Sequence, residues 1–596
     1  MIKYNKYILL FLSVFLLAGC EDYLDRTEEG TGFSTEDEVW RDRAAINSFA
    51  FRLYDTLGWI FETRITHPDR FRAGRGKNYG CVEVFSGDII FKRPLKVHSS
   101  VLAGDYMGII NEAFANPDFY DAWSSNWELV YVTNNILDRI DEVTTDIMPQ
   151  NEIDQVKGEA LLFRAFAYHE LSKRWGALPY IKTKIVPETD LNLPRPTYRE
   201  LITDIVADCD AAIQVLPEVS YLNDPVHMGR MGKAAAMALK SRALTTAASP
   251  NYTANNQKDT ELWEMAAAAA WDLISLSQTS DKVGLYQGDY SNIFHTEPGT
   301  IEGVWPRYNV PISASRDLYR LSWLWRNING DAGYSPSQEL VDRFETADGW
   351  PINHANSNYN DQDPYANRDP RFYKDILYHD APFPKVSEND RMDMRTTPLG
   401  EDRTAPNSST YGNSATGYFA RKIIPEKYNN KAYNRTLYVN APYIRMAEIY
   451  LNYAEAVNEA YGNPNATAPG ASLTAVDALN AIRNRVGHVD VRPEFTADEA
   501  SFREVVRNEF RVELCFEYHS WFDMLRWRTA KEELDGKDFH GVLIIDDATQ
   551  PTGVRYERFL IGQGERVFDD RMYRYPLRQS DLEVFEVPQL TQNPGW

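Results

Sequence analysis

Few residues in this chain of 596 stand in a pattern that covalent chemistry requires. His169 precedes Glu170, as in a zinc-protease helix, but no second histidine follows one turn later. Neither a Gly-x-Ser-x-Gly nucleophile turn nor a phosphate-cradling Gly-x-x-x-x-Gly-Lys-Ser/Thr loop occurs. Acids are plentiful, yet no feature selects two of them as a glycosidase pair. The stretch from Asn356 to Asp369, NSNYNDQDPYANRD, gathers oxygen ligands suited to a structural calcium ion, off the EF-hand spacing. After Cys20 only Cys81, Cys209 and Cys515 remain, an odd number too scattered for a disulfide framework. The expectation is therefore a non-catalytic protein without a cofactor. With 14 Trp and 35 Tyr, enough rings are left beyond any core for a surface that stacks on something flat.

The elements available to position such a surface are mostly helices. Glu38 to Trp59 carries Ala45, Phe49, Leu53 and Leu57 at spacings of four, and a second helix runs from Trp123 to about Val143. From Glu152 to Trp175, Val156, Ala160, Phe163, Ala167 and Leu171 form one stripe. Thr197 to Leu216 opens with Thr197 and Glu200 at the spacing of a capping box. Gly232 to Ala248 is packed with alanine, and Glu261 to Ser277 follows. Helix pairs at short intervals predict a mainly α, tetratricopeptide-like scaffold. Glycine and proline break up residues 62–120 into a loop insertion. Between Gly284 and Ala441 the helical period fades into an irregular, loop-rich lobe. Helices return at Tyr443 to Tyr461, Ser472 to Val486 and Asp498 to Ala530, and Phe559 to Trp596 reads as loop and strand. Regions 38–283, 284–441 and 442–596 are thus expected to form one interleaved body. A formal charge of −23 argues against nucleic acid and against adsorption to anionic lipid.

The first residues set the expected location. Lys3 and Lys6 precede an apolar run of 12 residues from Tyr7 to Ala18, a signal-peptide core too short for a membrane span. Leu17-Ala18-Gly19-Cys20 resembles the lipobox of bacterial lipoproteins. That resemblance implies removal of residues 1–19, acylation of Cys20, and attachment to outer-membrane lipid, with 20–37 as a leash. Glu21, Asp22 and Asp25 resemble the acidic tag that sends lipoproteins of Bacteroidota to the extracellular side of the outer membrane.

Several further segments resemble the SusD/RagB family. They are GEALLFRAFAYHELSKRWGALPYI (158–181), PYIRMAEIYLNYAEAVNEA (442–460), ALNAIRNRVG (478–487), RNEFRVELCFEYHSWFDMLRW (507–527) and the terminal QNPGW. In the fourth block this chain departs from the family pattern at Phe510, Tyr518, Ser520 and Met524, which bears on an ion pair usual in that turn. The polar residues of these motifs, among them Arg445, Glu448, Glu455, Arg483, Arg485, Glu513, Glu517 and Arg526, suit buried pairs that set helix register. The resemblance implies capture of an oligosaccharide or polysaccharide and its delivery to a TonB-dependent, SusC-like transporter. Readings from other classes are a helical scaffold that binds a protein segment, and a surface glycoside hydrolase.

In the resembled family the ligand site lies on loops that correspond here to about 75–120 and 290–330. The first offers Asn78, Tyr79, Asp88 and Tyr106. The second offers Trp305, Arg307, Tyr308, Tyr319, Arg320, Trp323, Trp325 and Arg326, where rings alternate with guanidinium donors. Both are locally basic: eight Lys/Arg against three Asp/Glu from Arg64 to His98, and four Arg against Asp317 alone from Val304 to Gly330. In so acidic a chain that points to an acidic ligand, such as a uronic acid or a sulfated sugar.

Overall fold

The computed structural model describes residues 36–61, 82–90, 96–108, 122–186, 189, 193–218, 229–296, 299–305, 312–313, 335–383, 389–403, 414–422, 436–437, 442–561, 566–583 and 591–596. The expected leader, Cys20 and most of the leash lie outside them. The expected helices form with ends moved by a few residues: α1 (Arg43–Phe61), α2 (Ala122–Arg139), α3 (Gln150–Trp175), α4 (Tyr198–Val215), α5 (Lys233–Ala248) and α6 (Thr260–Thr279). Each packs against the next in order. α3, between α2 and α4, is buried on nearly every face. Thr197 caps α4 as predicted: its hydroxyl accepts from the Glu200 N–H at 3.2 Å, and the Glu200 carboxylate accepts from the Thr197 N–H at 2.7 Å. Buried Ala235, Ala238 and Ala243 of α5 and Ala266, Ala267 and Ala270 of α6 let these neighbouring axes come close.

After α6 the chain passes through the lobe, whose short helices include α7 (Gln338–Arg343) and α8 (Pro370–Asp375). It returns as α9 (Met446–Tyr461), which packs directly on α6 and carries the stack on to α10 (Ala475–Arg485) and α11 (Glu499–Glu513). The stack is therefore continuous in space although interrupted in sequence. The lobe core joins Leu340, Phe344, Phe372 and Ile376 to Val512 and Cys515 at the end of α11. That shared core makes lobe and stack one interleaved body.

Three expectations change. The long helix from Asp498 to Ala530 is instead α11, a break, α12 (Ser520–Trp527) and a separate turn of helix at Ala530–Leu534. At the break Phe516 and Tyr518 both adopt φ of 65°, left-handed backbone that ends a helix. The helix expected from Tyr443 begins only at Met446, because Ile444 and Arg445 are taken up as a strand. Ahead of the tail lies a hairpin that sequence patterning did not reveal, His540–Asp546 with Val554–Leu560, whose Val542, Ile544, Val554 and Tyr556 enter the lobe core. Among the described residues, no helix is long and apolar enough to cross a membrane.

Candidate functional site

Short ladders between distant segments fix where the two predicted ligand loops leave the body. In chain order the strands concerned are β1 (Ile89–Ile90), β2 (Gly303–Trp305), β3 (Ser335–Pro336) and β4 (Ile444–Arg445). β1 and β3 are antiparallel, with Ile89 opposite Pro336 and Ile90 opposite Ser335. The chain thus leaves β1 toward residue 91 at the same end of the ladder at which it enters β3 from residue 334. Two loops far apart in sequence are rooted side by side. β2 pairs antiparallel with β4, and the same ribbon resumes where Ile312–Ser313 pairs with Thr436–Leu437. Thr436–Leu437 and β4, not expected near the ligand from sequence, are thus the partners of the described parts of this second region.

Buried ion pairs clamp both roots to the C-terminal helices. Asp88, one residue before β1, accepts from Arg511 of α11, whose Nε lies 3.1 Å away. Arg511 also donates to Glu533 at 3.0 Å. Glu302, one residue before β2, is fully buried and accepts from Arg445 Nη1 at 2.8 Å and from Arg485 of α10. Glu513 takes Arg445 at 2.7 Å, Arg371 at 3.0 Å and Arg485. Burial works against ionising Glu513, but these guanidinium groups overcome it and hold its pKa below the usual carboxylate value. Glu517 accepts from Arg445 and Lys422, each at 2.7 Å, so the departures at Tyr518 and Ser520 leave this turn well paired. Arg526 bridges Glu455 and Asp523, each at 2.7 Å. The motif arginines and glutamates are thus packing residues, as expected from sequence, and through Glu302 and Asp88 they also position the loop roots.

The structure corrects three of the expected ligand residues. Asp88 is 3 % exposed and committed to Arg511. Tyr106 is fully buried, stacked on Trp596 and edge-on to Tyr575. Trp305 is 1 % exposed and packs among Phe163, Phe166 and Tyr443. In each case the stem of a loop belongs to the core even though the loop it starts was expected at the surface. Asn78, Tyr79, Arg307, Tyr308, Tyr319, Arg320, Trp323, Trp325 and Arg326 lie outside the described residues.

The His169–Glu170 pair, whose types suggested catalysis, is engaged in packing. His169 is interior, and burial pushes its pKa down to about 3, so it is neutral at physiological pH. Glu170 beside it is held by Lys173 at 2.6 Å, Arg174 at 2.8 Å and the Tyr443 hydroxyl at 2.5 Å. The stretch 356–369 folds into turns and ends with Asp369 paired to Arg371 at 2.7 Å. Among the described residues, no group of three or more His, Cys, Asp or Glu is arranged to hold a metal ion. Sequence reasoning missed Glu302, whose arginine partners lie 143 and 183 residues away and leave no local signal.

Comparison with known proteins gives a consistent set of likenesses. The model described as "SusD family" matches residues 309–596, and that described as "Starch-binding associating with outer membrane" matches residues 99–244. A SusD-like protein of Bacteroides ovatus is 23 % identical over 542 residues, covering 88 % of this chain and 82 % of that protein. One of Formosa agariphila is 22 % identical over 443 residues, covering 70 % and 73 %. Among solved structures, a SusD-like protein from Bacteroides fragilis superposes with a TM-score of 0.69 at 24 % identity, covering 94 % of this chain and 99 % of that one. A SusD-like carbohydrate binding protein from the same species gives 0.67 at 20 % identity, covering 92 % and 99 %. Surface glycan-binding protein A from Bacteroides fluxus gives 0.56 at 19 % identity, covering 91 % and 99 %. These structures share the mainly helical, tetratricopeptide-like fold.

Proposed function

This chain belongs to the SusD/RagB family, and from that premise we propose that it is a carbohydrate-binding lipoprotein of the outer membrane, facing outward. It captures an oligosaccharide on the loops that start from these roots and passes it, without catalysis, to a TonB-dependent transporter of the SusC type. The observation that carries this reading is the shared root of the two loops. The register of β1 and β3 starts both from one ladder end, and buried Asp88–Arg511 and Glu302–Arg445 pairs fix their stems. Binding a flexible glycan needs preorganised rings and donors more than it needs reactive groups. The names of the relatives, which include carbohydrate binding and surface glycan binding, point the same way.

The lipid anchor would keep the receptor at high local concentration beside its transporter. A glycan array probed with the full chain in detergent tests the capture step. We expect selective binding, with Trp323→Ala and Trp325→Ala each weakening it about tenfold. An array with no selective binder would end the glycan reading. Delivery has a separate check: a TonB-dependent transporter should co-purify from gently solubilised outer membranes, and its absence would leave capture without hand-over.

A further inference from the structure

The segment 591–596 lies against the stem of the first loop region and is tied down along its length. The Gln592 side chain accepts from the Leu577 N–H and donates to the Leu577 carbonyl, both at 2.8 Å. Asn593 is buried, donates to the carbonyls of Trp175 at 3.1 Å and Tyr575 at 2.6 Å, and accepts from Arg195 at 2.8 Å. Gly595 has a φ of 88°, and an added Cβ there would fall 2.7 Å from Arg571 Cβ, so only glycine lets the chain turn this tightly onto residues 571–574. The Trp596 indole N–H then donates to the Arg571 carbonyl at 3.1 Å and the Arg574 carbonyl at 2.9 Å, and the Arg571 guanidinium lies 4.5 Å from its ring centroid. The indole is thus fixed in place and in plane.

What the fixed indole holds is Tyr106. The two rings stack with centroids 5.5 Å apart and 20° between their planes. Tyr106 follows the short helix Lys96–Leu102 and a turn in which the Asp105 N–H donates to the Ser100 carbonyl at 2.8 Å. Residues after the hairpin grip the same turn: the Val567 N–H donates to the Leu102 carbonyl at 2.8 Å, and Met572 Cε fills the space beside Gly104, 2.5 Å from where a Cβ would stand. On the other side of residues 109–121 the chain enters α2, and Trp123 lies edge-on to Trp175 at 4.9 Å. Tyr575 joins the two sides, edge-on to Tyr106 at 5.8 Å and to Trp175 at 5.9 Å. The described residues flanking 109–121 therefore rest on one aromatic base, to which Tyr575 and Trp596 belong.

We propose that Trp596 is a positioning residue for the first ligand region, acting through Tyr106 on the stem 96–108. This rests on the glycan-capture reading, which assigns that region to the ligand. Tyr106 is fully buried, so removing the indole uncovers a face of its ring and releases the plane in which the stem is held. A stacked pair of this kind shifts a local opening equilibrium by about two- to tenfold. The role parallels that of the Asp88–Arg511 pair at the other stem of the same region, with ring packing in place of charge.

The test uses the full chain in detergent, comparing Trp596→Ala with Trp596→Phe, which keeps a ring to stack. Leu239→Ala, fully buried in α5 within the separate core of the helical stack, serves as a control that lowers stability without touching Tyr106. Circular dichroism sets a temperature at which all four proteins are folded. Hydrogen exchange read by mass spectrometry follows residues 96–108, and a glycan array probed with the same preparations reads capture. Trp596→Ala should speed exchange in 96–108 and weaken binding to the glycans that the wild type selects, each by up to about tenfold. Trp596→Phe should restore most of both, and Leu239→Ala should bind as the wild type does. Unchanged exchange in Trp596→Ala would refute the hold on the stem. Faster exchange with full glycan binding would leave Trp596 a stabilising residue only and overturn its positioning role, as would an equal loss of binding in Leu239→Ala. A wild type that binds no glycan would instead end the capture reading, and the ligand role of Trp596 with it.

Discussion

Asp375 shows how a single buried side chain shapes the behaviour of the molecule with pH. It is fully buried, with the Tyr290 hydroxyl at 3.4 Å, Cys515 Sγ at 3.6 Å and Lys422 Nζ at 3.9 Å, and its Oδ1 accepts no hydrogen bond from the described residues. Burial raises its pKa to about 7; Glu513 and Glu517 add to the rise, and Lys422 and Arg371 oppose it. In the unfolded chain the same carboxyl titrates near about pH 4. Between these values the folded state holds a proton that the unfolded state has lost, so this group's contribution to stability is full below about pH 4 and declines as pH rises to about 7. Asp375→Asn should flatten that decline in a series of urea unfolding curves, and parallel slopes for the two proteins would refute the assignment. Trp305 belongs to the same scale. Packed among Phe163, Phe166 and Tyr443, it should cost about 3–5 kcal/mol of stability when cut to alanine. Trp305→Phe, which keeps a ring in the core, should leave glycan affinity unchanged; a clear loss would return Trp305 to the ligand surface.

Among the elements, the ladders and their clamps matter most, because they turn helix register into loop position. Arg485 on α10 reaches Glu302 below β2 and Glu513 on α11, so it ties two helices to one loop stem. Replacing it with methionine leaves Glu302 to Arg445 and Glu513 to Arg445 and Arg371, a loss of charged hydrogen bonds expected to cost about 1.5–3 kcal/mol. Glycan binding should weaken in the same variant at temperatures where circular dichroism still reports a folded stack. Full affinity in a folded Arg485→Met protein would show that the clamp does not position the loop. Helices α1 to α6 and α9 to α11 were readable because apolar spacing and caps such as Thr197 with Glu200 are local signals. The break after α11 was not, since the apolar period continues through Phe516 and Tyr518 while their backbone turns left-handed. Tyr518 thus holds a left-handed backbone, with a φ of 65°, of the kind glycine adopts at least cost.

For the whole molecule, the lobe is an insertion that the stack closes around: α6 meets α9 directly, and the lobe core borrows residues from α11 and the C-terminal hairpin. Unfolding should therefore be cooperative across lobe and stack. In the lipoprotein proposed above, anchoring would be a separate property resting on Cys20. Cys20→Ser is expected to move the protein out of the outer-membrane fraction on cell fractionation, and retention there would exclude the lipid as its anchor.

The amino-acid sequence alone determined the helical class, most helix limits, the interrupted stack and the family, because periodicity, capping and motif order are written within short windows of chain. The tertiary structure decided which polar and aromatic residues face inward. Asp88, Tyr106 and Trp305 look like ligand groups by type, yet Arg511, Trp596 and Phe166, each more than a hundred positions away in sequence, enclose them. Arg566 gives the opposite lesson, an ordinary arginine in the text that folding buries without a counter-charge among the described residues. Burial and charge matching are set by three-dimensional neighbours, and no window of sequence contains them.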